Sequence, residues 1–186
     1  MNLEEYSKFI EEHGYYEEKE AVRVVRKILD YHINYNYTEY DSYELYPRFI
    51  FSGDREKIEM DLLIILRHPK KRYERKIGVE FKETDMRKVL SQAITRRKYV
   101  DYMYVATKNV FLTYKEILIM CFFGLGWIIW EEGFAKMIFP ARYTTTDYIF
   151  EDIINSILRM KLEEKKEEIK EEIDKIVKLD EFIKEE

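Results

Sequence analysis

Two residues spaced for joint chemistry stand in the segment Lys76-Ile77-Gly78-Val79-Glu80-Phe81-Lys82. Its strict alternation predicts a strand with Ile77, Val79 and Phe81 on one face and Gly78, Glu80 and Lys82 on the other. Glu80 and Lys82 then share a face, about 7 Å apart along the strand. A second carboxylate, Asp61, opens the apolar run Met60-Asp61-Leu62-Leu63-Ile64-Ile65-Leu66. An acidic group at the start of a buried strand is costly unless it is paired or bound to a metal. Asp61 and Glu80 on neighbouring strands would make a two-carboxylate clamp for Mg²⁺, with Lys82 beside it. Such a set suits phosphodiester hydrolysis, which needs a hydroxide near phosphorus and positive charge on the phosphate oxygens.

Glu-x-Lys alone is commonplace in a chain with 37% charged residues; its context carries the reading. The strand around it is apolar, the acidic residue lies upstream, and a basic helix follows, TDMRKVLSQAITRRK, with Met86, Val89, Leu90, Ala93 and Ile94 at helical intervals and Thr84 or Asp85 able to cap it. Lys88, Gln92 and Arg96 fall four apart along one side, and Arg97 and Lys98 extend the charge, which predicts a ridge that grips DNA phosphates.

The other elements complete an α/β pattern. Ala21, Val24, Val25, Ile28 and His32 predict a first helix with one buried stripe, and RFIFS and MDLLIILR read as strands. YVDYMYVAT is a further strand, EILIMCFF a helix, and the runs around Trp127 and Ala135 a hairpin. Tyr31 to Tyr46 has no clean period and reads as containing a loop. The expected architecture is a central mixed β-sheet flanked by helices over residues 1–146. A charged helical extension over 147–186 follows, with Leu162, Ile169, Ile173, Ile176 and Ile183 near heptad spacing. That stripe packs on its own domain or on a second copy, making a homodimer.

The formal charge of −5 hides a segregation: from Arg67 to Lys98 there are twelve Lys/Arg against four Asp/Glu, and from Glu151 to Glu186 eight against thirteen. A basic middle can meet nucleic acid while acidic ends oppose random binding. Cys121 reads as a small buried side chain, and a cysteine metal site is excluded. His32, Trp127 and Trp130 read as core. The run Ile117 to Trp130 is shorter than the roughly 20 residues of a membrane span and also reads as core. With no signal-peptide layout at the N-terminus, the expected setting is cytoplasmic and away from membranes. Heavy Glu/Lys/Arg loading beside a single glutamine, Gln92, points to a heat-adapted protein.

From about Gly14 to Thr107 the chain resembles the PD-(D/E)XK restriction-endonuclease-like nucleases, and within them the archaeal and viral Holliday-junction resolvases. MDLLIIL looks like the Asp-bearing strand, GVEFKE like the Glu-x-Lys strand, and SQAITRRKYVDYMYVAT like the helix and strand that follow. Met60 stands where many relatives have proline. The resemblance implies a restriction-endonuclease-like core and a Mg²⁺- or Mn²⁺-dependent endodeoxyribonuclease acting on branched DNA. It implies Asp61 and Glu80 as metal ligands, Lys82 as the group that orients or activates water, and Gln92 as a support from the helix. It also implies a helix-borne metal ligand at Glu18, preceded by Gly14 and followed by Ala21, Val22 and Val25. Glu17 and Glu20 compete with Glu18, and helical geometry puts Glu20 farthest round, on the solvated face. The alternative is a catalytically silent nucleic-acid-binding or scaffold protein of the same fold that dimerises through the C-terminal helix.

Overall fold

The computed structural model of the chain describes residues 1–35, 40–52, 57–70, 74–108 and 111–143. The chain divides into two units, Met1–Thr146 and Asp147–Glu186, and every described residue belongs to the first. The heptad stripe and residues Lys71 and Arg72 of the basic turn lie outside the described residues.

The acidic opening folds as a helix of its own, α1 (Leu3–His13). Asn2 caps it, accepting from Glu4 and Glu5 N–H at 2.9 and 3.0 Å while the Glu5 carboxylate returns to Asn2 N–H at 2.9 Å. It ends at Gly14, where an added Cβ would lie 2.5 Å from the Ile10 carbonyl. A 3₁₀ turn, Tyr16–Glu18, separates it from α2 (Ala21–Leu29). Glu17 and Glu18 therefore stand before the helix that was expected to carry them. In α2, Ala21, Val24, Val25 and Ile28 form the predicted buried stripe. A π-helical segment, Asp30–Tyr35, prolongs it and buries His32 against the Tyr104 hydroxyl at 2.9 Å.

Six strands make one sheet whose spatial order follows the chain: β1 (Ser42–Ser52), β2 (Lys57–Arg67), β3 (Glu74–Lys82), β4 (Tyr102–Lys108), β5 (Gly126–Glu131) and β6 (Phe134–Phe139). The first three pair antiparallel, β3–β4 and β4–β5 are parallel, and β5–β6 is an antiparallel hairpin. The parallel steps need crossovers, supplied by α3 (Met86–Arg96) and α4 (Tyr114–Phe123). Helices α1 and α2 pack on the face carrying Leu62, Ile64, Ile77, Val79 and Phe81; α3 and α4 pack on the face carrying Leu63, Met103 and Val105. This is an α/β fold with a mixed sheet flanked by helices. Among the described residues no helix is long and apolar enough to cross a membrane.

Two expectations about the core are corrected. Helix α4 is apolar nearly all round, so its sequence does not mark a buried side. Only Met120 is fully buried, while Tyr114, Leu118 and Phe122 face outward. Cys121 falls on that outer side and is exposed rather than core. Trp127 and Trp130 are core as expected, and the Trp127 indole N–H donates to the Thr107 hydroxyl at 3.0 Å.

Burial lowers the His32 pKa from its usual 6.5 to about 4. The unfolded chain therefore takes up a proton below about pH 6.5 that the folded protein refuses until about pH 4. Stability should fall with pH through that window, by up to about 3 kcal/mol. Urea unfolding at pH 7 and pH 4.5 should show a smaller loss in His32→Gln than in wild type; equal losses would place the acid sensitivity elsewhere.

Candidate functional site

On β3 the observed faces are those the alternation predicts, but the polar face is not open. Gly78 is covered by the thioethers of Met60 and Met103, and a Cβ there would collide with both. Glu80 has no exposed surface. Helix α3 leaves β3 after a short turn capped by Asp85, whose carboxylate accepts from Lys88 N–H at 3.0 Å. Three turns later its last residue, Arg96, places Nη1 on Glu80 Oε2. The other oxygen, Oε1, is buried without a partner. Lys82 emerges at the strand end, where Nζ meets both carboxylate oxygens of Glu17 at 2.6 and 2.8 Å.

Asp61 is not the first residue of its strand but lies inside β2, which begins at Lys57. The alternation of β2 breaks there: Leu63 and Met60 both pack on the α3 face, and Leu62 on the other. The opposite residue on β1 is Arg48, which has φ of 49° and interrupts the β1–β2 register between Pro47↔Leu62 and Phe49↔Met60. The β2–β3 pairs end at Leu62↔Val79. The Asp61 carboxylate takes over as acceptor, with Oδ2 receiving Phe81 N–H at 2.8 Å. That bond seats Asp61 against the backbone between Glu80 and Lys82.

Glu18 is buried and joins the same end of the sheet through Arg48. It accepts from Tyr15 N–H at 2.8 Å and from Arg48 Nη2 at 3.3 Å. Arg48 also donates to the His13 carbonyl and lies over the Tyr15 ring, 4.2 Å from its centroid. Tyr6 of α1 is fully buried, its hydroxyl without a partner, and its pKa is raised by burial first and then by Glu18 and Asp61. Glu20, expected on the solvated face, is buried: it accepts from Gly133 N–H of the β5–β6 turn at 2.8 Å and pairs with Arg23 at 2.8 Å. Because the 3₁₀ turn resets the helical phase, spacing counted from α2 misplaces it. Its role is to tie that hairpin to α2.

Four carboxylates and three cations thus lie around the middle of β2 and the end of β3. Arg96 serves Glu80, Lys82 serves Glu17 and Arg48 serves Glu18. Among the described residues Asp61 has no ion pair. Burial raises the Asp61 pKa to about 6, against the Phe81 N–H and Arg96, which lower it. Burial, and then the Asp61 charge, push Glu80 up to about 9, with Arg96 opposing. In the free protein the two neighbouring carboxylates resist carrying charge together.

The predicted basic ridge does not form one surface. Lys88 is solvent-exposed, and Arg96 turns inward. Arg97 lies against Gly124 at the C-terminal end of α4 beside Arg142, and Lys98 stands over its neighbour Tyr99. Gln92 lines an open groove next to Arg96, and it is Arg96 that reaches Glu80. Arg48 and Tyr6 were not singled out for the site by sequence, and Glu17 was named there only as a competitor of Glu18 for the metal, not as the partner of Lys82. The one signal for Arg48 was a charged residue opening the apolar segment RFIFS. Among the described residues no three His, Cys, Asp or Glu side chains are grouped so as to hold a metal ion unaided.

No protein-family model matches the chain, and no curated protein matches it. Among solved structures, the chain is similar to the SPO1766 protein of unknown function from Silicibacter pomeroyi, at 11% identity over 66% of this chain and 76% of that one, with a TM-score of 0.38.

Arg48 joins β1, the end of α1 and the 3₁₀ turn, and it neutralises a buried carboxylate. Arg48→Met should therefore cost on the order of 3 kcal/mol in urea unfolding, because Glu18 is left without its counter-ion. Glu18→Gln, which keeps the shape and removes the charge, should cost less. The reverse order would mean that Arg48 depends on the Glu18 charge more than Glu18 depends on Arg48, and would overturn this account.

Proposed function

We propose that the chain is a metal-dependent endodeoxyribonuclease of the PD-(D/E)XK kind, in which Asp61 and Glu80 hold the ion and Lys82 acts on the attacking water. The observation that carries this reading is the seating of Asp61 on the Phe81 N–H, beside Glu80 and its unpartnered Oε1. Hard carboxylate oxygens on two adjacent strands fit Mg²⁺ or Mn²⁺. Mg²⁺ is commonly bound by one or two carboxylates, with water and substrate phosphate completing its shell. A two-carboxylate site therefore fits without a third protein ligand. Glu18 supports the site from the 3₁₀ turn, its charge acting on Asp61.

When bound, the cation supplies positive charge on a phosphate oxygen and acidifies a water at neutral pH. The protein's own groups do the rest. The Phe81 N–H fixes one Asp61 oxygen. Burial beneath α3 holds Glu80 in a single position. Lys82, two residues from Glu80 on the same face, offers an ammonium donor at the mouth of the site, and Glu17 holds it there until substrate phosphate competes for it. The substrate in this reading is branched DNA such as a four-way junction, as the resemblance implies.

A second reading is favoured by the three ion pairs, which already occupy Glu80, Lys82 and Glu18: a catalytically silent nucleic-acid-binding protein of the same fold, dimerising through 147–186. Cleavage assays separate the two. Wild type with Mg²⁺ or Mn²⁺ should cut DNA, and Asp61→Ala or Lys82→Ala should lower the rate roughly a thousandfold while leaving DNA binding largely intact. Undiminished cleavage by either variant would remove the site assignment. No cleavage by wild type, with DNA still bound, would establish the silent reading. Equal rates on a four-way junction, linear duplex and single strand at one salt concentration would exclude the preference for branched DNA.

A further inference from the structure

Beside the carboxylates an open groove of ≈ 370 Å³ runs between the start of β2 and α3. Lys57 and Glu59 line it from the strand, and Ser91, Gln92, Thr95 and Arg96 from the helix. The helical residues are spaced i, i+1, i+4 and i+5, so they form one continuous side of α3. The Thr95 hydroxyl donates to the Ser91 carbonyl at 2.9 Å, so its proton is engaged within the helix and Ser91 is the groove's hydroxyl donor. Lysine, arginine, hydroxyl and amide donors on a curved, open wall match the charge and acceptor density of a sugar-phosphate chain, with Glu59 the one opposing charge.

Arg96 belongs to both places. It lines the groove, and its Nη1 is on Glu80 Oε2. A guanidinium has five donors, so one bond to Glu80 leaves others for a ligand in the groove. It cannot leave Glu80 freely, because the buried carboxyl group would lose the partner of Oε2 while Oε1 already has none. Charge counting says when it can. Ionised Asp61 and Glu80 carry two negative charges, of which Arg96 matches one. If the pair takes a divalent cation, both are matched and Arg96 is in excess by one positive charge, the amount that a phosphodiester neutralises.

We propose that this groove binds the phosphodiester backbone of a DNA strand, and that Arg96 is its exchangeable phosphate ligand, held by Glu80 while the carboxylates lack a cation and released to the strand when they acquire one. The inference rests on the nuclease reading for the presence of the cation and adds the coupling between the two ligands.

Binding of a fluorescein-labelled DNA duplex, measured by anisotropy at constant ionic strength in EDTA and in Ca²⁺, tests it without turnover. In EDTA, Arg96→Met should bind within about twofold of wild type. In Ca²⁺ it should bind roughly tenfold more weakly, the scale of an ordinary coupling between two sites. Glu80→Gln frees Arg96 without any metal, so in EDTA it should bind about five- to tenfold more tightly than wild type, and the gain should vanish in Glu80→Gln/Arg96→Met. If Arg96→Met does not fold, the double variant, in which the carboxylate that Arg96 pairs with is removed as well, still provides the comparison with Glu80→Gln. An equal loss for Arg96→Met in EDTA and Ca²⁺ would overturn the exchange, as would a Glu80→Gln gain that survives removal of Arg96. Absence of DNA binding by wild type in both conditions would instead remove the nucleic-acid reading of the whole site.

Discussion

Glu80 lies at the middle of the sheet with no exposed surface, and its neighbours can be understood as answers to that burial. A carboxylate in such a place must be neutral, paired or bound to a cation. The pairing depends on how α3 is placed. Its N-terminus is fixed by Asp85 just beyond β3, its apolar side beds on Met103, Val105 and Leu63, and its length brings Arg96 back over the strand it has left. Gly78, two residues before Glu80, lets Met60 and Met103 close over the strand on the same face. A shorter α3, or a side chain at Gly78, would disturb the pair.

The same economy of charge extends outward. Lys82 to Glu17 ties β3 to the 3₁₀ turn, and Arg48 to Glu18 ties β1 to that turn. Each bridge joins elements that are distant in sequence, so the ion pairs also define where the N-terminal segment sits on the sheet. Their depth matters: exposed pairs contribute little, whereas breaking one that includes a buried carboxylate is costly. Asp61 stands apart, held by a backbone N–H and raised in pKa. Among the described residues the cluster thus sets four carboxylates against three cations. That imbalance is the physical link between the fold and the proposed chemistry.

The outward side of α4 presents a different constraint. Tyr114, Leu118 and Phe122 follow one another at four-residue spacing and remain exposed, although a run so apolar reads as core. Periodicity can mark a buried face only where polar residues mark the other. The same holds for Cys121, which sits among apolar neighbours in sequence but on the outer side of the helix in space.

Local periodicity by itself determined the faces of β3, the buried stripe of α2, the α3 crossover, the β5–β6 hairpin and the core positions of His32 and both tryptophans. These are properties of residues two to four apart, which side-chain geometry within one element settles. It also brought out Asp61, Glu80 and Lys82 as the residues whose types suit one chemistry. Only the tertiary structure decided their partners. Arg96 is sixteen residues from Glu80, Glu17 sixty-five from Lys82 and Arg48 thirty from Glu18. No local rule links such pairs. They are chosen by where the sheet register and the crossover helix place each charge, and by the high cost of leaving a buried one unmatched. The sequence could nominate Glu17, Glu18 and Glu20 alike; a 3₁₀ turn and a hairpin N–H sent them to three different partners.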